Sequence, residues 1–135
     1  MSELTRIPAP DGVAPATAYT HVVTGTGRFV AISGQLALDE DGKLVGQGDA
    51  AAQARQVFEN LRRCLDSAGA TFDDVVKLTF YVTDMADMPA IRTARAAHIP
   101  DDRLPAASAV QVAALVRPEF LMEIEAFAVV AEHAE

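Results

Sequence analysis

The sequence predicts an α+β fold in which two helices cover one face of a mixed β-sheet of about six strands. Two stretches repeat apolar residues at three- and four-residue steps, several others alternate apolar and polar residues, and the two kinds interleave in the order β-β-α-β-α-β-β. The chain of 135 residues is long enough for one domain spanning 1–135, and no internal repeat, linker or low-complexity segment interrupts it.

The first strands are expected in "YTHVVTGTGRFVAISG", residues 19–34. Two short β-rich runs flank "TGTG", whose glycines can take the positive φ of a tight turn, so the segment reads as a hairpin. "LDEDGKLVG" has the Asp and Gly of a surface turn and lacks the longer carboxylate register of a calcium loop. The clearest helix is "DAAAQARQVFENLRRCLDSAG", residues 49–69. Ala50, Ala54, Val57, Phe58, Leu61, Cys64, Leu65 and Ala68 form one buried stripe, with Asp49 as N-cap and Gly69 just past the C-terminus. Cys64 on this stripe reads as a small core residue rather than a reactive thiol.

"DDVVKLTFYVTD" alternates Val76, Leu78, Phe80 and Val82 against Val75, Lys77, Thr79 and Tyr81, which is strand period. "DMPAIRTARAAHI" follows as the second helix. Asp87 and Pro89 suit its first turn, and Ile91, Ala94 and Ala97 or His98 are expected to face inward. Arg92 and Arg95 read as solvated-face residues. Two final strands are expected in "AASAVQVAAL" and "FLMEIEAFAVVA".

Composition narrows the function. Eleven Lys and Arg against 19 Asp and Glu give a formal charge of −8, and no basic stripe interleaved with aromatics is present, which argues against a nucleic-acid partner. No apolar run approaches the roughly 20 residues a bilayer requires, so no membrane role is expected. The single Cys64 and the lack of a signal-peptide pattern make a reducing cytoplasm the expected compartment. Phosphate loops, GxGxxG, GxSxG and Cys/His metal spacings are all missing, so no metal is expected. His21, His98 and His133 are scattered and read as surface or rim residues.

One polar pair stands out. Glu123 and Glu125 in "MEIEAFA" lie two apart on a strand and share a face with Leu121 and Phe127. Carboxyls set among hydrophobes suit proton transfer in a hydrolysis. They equally suit a face that borders solvent or a subunit contact, paired to Arg or Lys, and both readings stand on this pattern alone.

The combination of "AAQARQVFENLRRCLDSAGATFDDVVKLTFYVTDMADM", "LPAASAVQVAAL" and "MEIEAFAV" resembles the RidA (YjgF) family of enamine and imine deaminases. The likeness extends to "APDGVAPATAYTHVV", with Tyr19 in the place of a family tyrosine, and to "VAISGQLALDEDGKLVG", with its SGQ turn. The resemblance implies a chorismate-mutase-like α+β fold and a homotrimer with clefts between neighbouring subunits. It further implies hydrolysis of reactive enamines or imines such as 2-aminoacrylate to 2-oxo acids and ammonia, with no cofactor. Carried over, Tyr19 lines the pocket, Ser33 and Gly34 offer hydroxyl and backbone N–H donors, Glu123 places or activates water, and Ala107, Ser108 and Ala109 supply backbone groups around the substrate. Glu125 receives no such role.

One departure bears on substrate. The family motif Pro-x-Arg-Ser, whose arginine clasps the substrate carboxylate, reads here Pro105-Ala106-Ala107-Ser108. Loss of a charge-assisted bidentate bond, worth about 1.5–3 kcal/mol, should weaken a small 2-imino acid by one to two powers of ten. Thr17-Ala18 likewise replaces a Gly-Pro before the tyrosine. Arg92, Arg95, Arg103 and Arg117 are candidates to reach the cleft from another direction. Three functions follow: a deaminase-like hydrolase whose substrate is larger or less acidic than 2-aminoacrylate; a non-catalytic small-molecule-binding or interaction protein on the same scaffold; and a ribonuclease or translation inhibitor, against which the net charge argues.

Overall fold

The computed structural model describes residues 4–132, so His133 lies outside the described residues. Six strands and two long helices follow one another as β1 (Thr5–Ile7), β2 (Val22–Thr24), β3 (Arg28–Gln35), α1 (Ala50–Ser67), β4 (Val75–Val82), α2 (Met88–Ala96), β5 (Ala106–Gln111) and β6 (Met122–Val130). The strands divide into a four-stranded sheet, ordered β3-β6-β4-β5, and a two-stranded ribbon of β1 and β2. In the larger sheet β6 is antiparallel to both β3 and β4, and β5 runs parallel to β4. The α+β class and the mixed sheet are therefore as the sequence predicts.

The helices and sheet meet through alternation. Met122, Ile124, Ala126 and Ala128 of β6 are buried, as are Leu78, Phe80 and Val82 of β4 and Val30 and Ile32 of β3. Against them lie Ala54, Val57, Phe58, Leu61 and Leu65 of α1 and Met88, Ile91 and Ala94 of α2. Each fully buried large apolar side chain contributes roughly 1.5–3 kcal/mol. The opposite face of the sheet is uncovered in the single chain and carries Glu123, Glu125 and Phe127, all half-buried. Phe29, 63% exposed, packs on Phe127 there at 5.6 Å between ring centroids.

The marked ends of α1 hold. Asp49 accepts a hydrogen bond from the Ala52 N–H, and Gly69 has φ of 72°, the left-handed conformation that favours glycine after a helix. Gln53, fully buried on this helix, donates through Nε2 to the Gly46 and Glu119 carbonyls and accepts from the Leu121 N–H. It thereby fixes the chain just before β6. In the surface turn, Asp39 Oδ1 accepts from the Asp41 and Lys43 N–H groups.

Three local expectations are corrected. β2 and β3 do not form a hairpin: β2 pairs with β1, and β3 pairs with β6. Gly27, at φ of 145°, carries the chain between the sheets where any Cβ would collide with the Val130 carbonyl. In β4 a register shift between Val75 and Lys77 brings Val75 into the core and leaves Val76 half-buried, because a bulge breaks the strict alternation. On α2, Arg95 is buried rather than solvated, and of the alternatives Ala97 or His98 it is His98 that faces inward, Ala97 being exposed. Beyond α2, His98 is half-buried and stacks on Phe58. Cys64, half-buried, packs against the core edge.

Candidate functional site

The residues singled out in the sequence, Ser33 excepted, fall at two separate places in one chain. The first is a cavity of about 370 Å³ at the β5 edge of the sheet, between the strand, α2 and the loop before β2. Tyr19, Ala107, Ser108 and Ala109 all line it, together with Arg92 and Arg95. β5 reaches this position through its parallel pairing with β4, which sets Ala107 beside Leu78 and Ala109 beside Phe80. Ala107 is half-buried and Ser108 exposed.

The loop carrying Tyr19 is held from both sides. The Thr20 N–H donates to the Pro105 carbonyl at 3.0 Å, and the Thr20 hydroxyl donates to the Leu104 carbonyl at 2.6 Å. The Tyr19 ring meets His21 edge-on at 5.3 Å, and His21 Nε2 is bonded to the Ala14 carbonyl. Ala18, just before the tyrosine, has φ of 68°, the one positive value at a described non-glycine residue. That conformation costs about 1 kcal/mol or more for a residue with a Cβ. Arg95 Nη1 donates to the Ala18 carbonyl at 3.2 Å, so α2 braces the strained residue.

Arg95 overturns its sequence reading as a solvated-face residue. Its side chain is only 9% exposed. Nη2 reaches Asp101 at 3.4 Å, a long contact to a side chain that is 88% exposed, and Nε is buried with no partner among the described residues. Burial, followed by the neighbouring charge of Arg92, lowers its pKa, while Asp101 opposes the shift. The signal was present in the sequence: Arg95 lies one turn after Ile91 and beside Ala94, on the stripe itself.

The second place is a smaller cavity of about 290 Å³ on the uncovered sheet face, lined by Gly34, Tyr81, Glu123 and Glu125 among others. Glu123 and Glu125 share this face as the strand period required. Neither is paired with Arg or Lys among the described residues: Glu125 accepts a 2.6 Å hydrogen bond from the Tyr81 hydroxyl, and no hydrogen bond or ion pair engages Glu123. The bond to Glu125 raises the Tyr81 pKa, with burial and the charges of both glutamates adding to it. Glu123 lies so close to Gly34 that a Cβ at position 34 would overlap its carboxylate. This approach occurs where the β3–β6 register shifts between Ile32 and Gln35. Ser33 stands exposed one residue earlier and lines neither cavity. Tyr81 was missed because only the pairing of β4 with β6, which sets it opposite Glu123, brings it to the carboxylates.

Among the described residues no three His, Cys, Asp or Glu side chains converge to hold a metal ion, and no helix is long and apolar enough to cross a membrane. The chemistry available is therefore a free carboxylate beside the irregular backbone near the end of β3 in one cavity, and a tyrosine, two guanidinium groups and a strand backbone in the other.

Known proteins share this arrangement of elements. A family profile described as Endoribonuclease L-PSP matches residues 10–130. The 3-aminoacrylate deaminase RutC of Acinetobacter baylyi is 40% identical over 119 residues, covering 88% of this chain and 93% of the relative. The crystal structure of the Rid-family protein YyfB from Yersinia pestis superposes with a TM-score of 0.81 at 38% identity, over 93% of this chain and 98% of that one. RidA from an Antarctic Psychrobacter gives 0.70 at 34% identity, over 96% and 100%. With profile, sequence and fold agreeing across nearly the full length of the chain, it belongs to the RidA (YjgF) family.

Proposed function

We propose that the protein is a deaminase-type hydrolase that converts an enamine or imine to a carbonyl compound and ammonia, in clefts shared between subunits of a homotrimer. The observation that carries this reading is the free carboxylate of Glu123 set against the Gly34 backbone. Glu123 takes a proton from water as the water oxygen adds to the imine carbon, and returns it to the nitrogen of the carbinolamine. Glu123 then passes the hydroxyl proton to the same nitrogen as the C–N bond breaks, so that ammonia leaves and the carbonyl forms. The preceding enamine-to-imine step delivers a proton to carbon and releases one from nitrogen. Such general acid–base assistance contributes typically 10²–10⁴-fold.

The homotrimer supplies what one chain lacks. Tyr19 with Ala107–Ala109 and Glu123 with Gly34 occupy different cavities that share no lining residue, and a neighbouring subunit would set one beside the other. The uncovered sheet face fits a subunit contact, since Phe29 at 63% and Val110 at 43% are exposed on it. Exposed apolar patches of this kind mark association surfaces. With Ala107 in place of an arginine, the strand side of the cavity is opened, and a substrate bulkier than 2-aminoacrylate fits it.

The test uses enamines generated in situ by a pyridoxal-phosphate lyase or by oxidation of amino acids, in a panel running from 2-aminoacrylate and 3-aminoacrylate to larger homologues. Expected is faster ammonia release than the spontaneous rate, greatest for the larger members, and a loss of about 10²–10⁴-fold in Glu123→Gln. No acceleration across the panel, or a fully active Glu123→Gln, refutes the hydrolase. Ligand binding without turnover would then favour a binding protein on the same scaffold.

A further inference from the structure

The cavity beside Ala107 has an electrostatic character that the rest of the chain does not. The protein carries 19 acidic and 11 basic residues, yet this cavity is lined by two arginines and by no aspartate or glutamate. Arg92 and Arg95 lie three residues apart on α2, the spacing that sets side chains on the same helix face. Like charges so placed repel, and among the described residues only Asp101 answers them, by the long contact to Arg95. Arg92 has no ion-pair or hydrogen-bond partner among the described residues. Arg95 keeps its Nε buried and unsatisfied, a state that is costly for a charged donor.

We propose that Arg92 and Arg95 of α2 form an anion clasp that holds the carboxylate of the substrate from the helix side of the cavity, in place of an arginine on strand β5. The planar guanidinium fork matches a carboxylate with two parallel N–H···O bonds, which an ammonium or an amide cannot do. Arg92 supplies exposed donors, and Arg95 supplies a charge held in place by the Ala18 carbonyl. The substrate is then an acid, and the space at Ala107 accommodates the part of it that would otherwise meet an arginine. This inference rests on the first cavity being the binding half of the deaminase site.

The test reads binding and turnover separately. The assembled protein is titrated by calorimetry with 2-oxobutanoate, a stable stand-in for the product, and with its uncharged methyl ester. Expected is tighter binding of the acid than of the ester by at least tenfold. Arg92→Gln should weaken the acid by about 10- to 100-fold with no change for the ester. Arg95→Gln, which removes the charge, should also weaken the acid with no change for the ester. Adding Ala107→Arg to Arg92→Gln should restore acid binding from the strand side, a rescue that a merely structural role for α2 would not give. Acid binding no tighter than ester binding, including no binding of either at millimolar concentration, overturns the clasp, as does unchanged acid affinity in both arginine variants. If the acid preference and its loss are seen while no enamine is turned over, the clasp stands and the hydrolase falls. Turnover of acidic enamines that is indifferent to both arginines overturns the clasp alone.

Discussion

Gly34→Ala separates folding from chemistry more cleanly than removal of the carboxylate does. Gly34 is not among the glycines with positive φ, so alanine is compatible with its backbone. The added Cβ would lie 2.6 Å from both Cγ and Cδ of Glu123 and closer still to Oε2. The obstruction is the end of a flexible side chain, and the carboxylate can swing aside at little cost. A Gly-to-Ala change also stabilises by about 0.4–1 kcal/mol through the unfolded state. The net change in stability should therefore stay within about 1 kcal/mol. Activity should not follow: a displacement of about 1 Å in a reacting group lowers the rate by about 100-fold, equivalent to about 2.7 kcal/mol of transition-state stabilisation. Urea denaturation and steady-state ammonia release on the best enamine of the panel measure the two quantities side by side. In a double-mutant cycle, Gly34→Ala combined with Glu123→Gln should be no slower than Glu123→Gln alone, because both act through one group. Wild-type turnover in Gly34→Ala, or a further loss in the double variant, would refute the role given to Glu123.

Two other outcomes are expected. Gln53→Leu leaves the Gly46 and Glu119 carbonyls and the Leu121 N–H without their partner, and at roughly 1–3 kcal/mol for each buried group it should destabilise by about 3 kcal/mol or more in urea denaturation; a loss below about 1 kcal/mol would show that water or a local shift replaces it. Phe29→Glu places a charge on the uncovered sheet face and should reduce the sedimentation mass from the three chains of the proposed trimer, each of 14.3 kDa, to one, whereas an intact trimer would place the subunit contact elsewhere.

How far the sequence could be read depended on whether neighbours in the chain are neighbours in space. α1 was legible to its caps because Asp49 and Gly69 act on backbone groups within a turn of themselves. The shared face of Glu123 and Glu125 was legible because strand period is local. The hairpin was misread because Thr5–Ile7, whose three residues carry little pattern of their own, claim β2 as a partner. Arg95 was misread because a charged residue on a helix is usually solvated, and its burial is offset by the Ala18 carbonyl from a distant loop and by the long contact to Asp101. The motif residues gathered in one cavity or the other, with Ser33 outside both, while the division into two cavities follows from sheet topology.

The parallel pairing of β4 with β5 has a consequence for how such a protein can change over time. β4, α2 and β5 form one continuous β-α-β unit, and Arg92, Arg95 and Ala107 all lie within it. Glu123 and Gly34 instead meet through the pairing of β3 with β6, strands from opposite ends of the chain. Apart from the Tyr19 loop, the residues proposed to recognise the ligand thus lie in a contiguous cassette of about forty residues, the usual scale of a β-α-β unit, and the carboxylate proposed to handle the proton lies outside it. Residues of that cassette can therefore change without touching the pairing that sets the β6 carboxylate against Gly34.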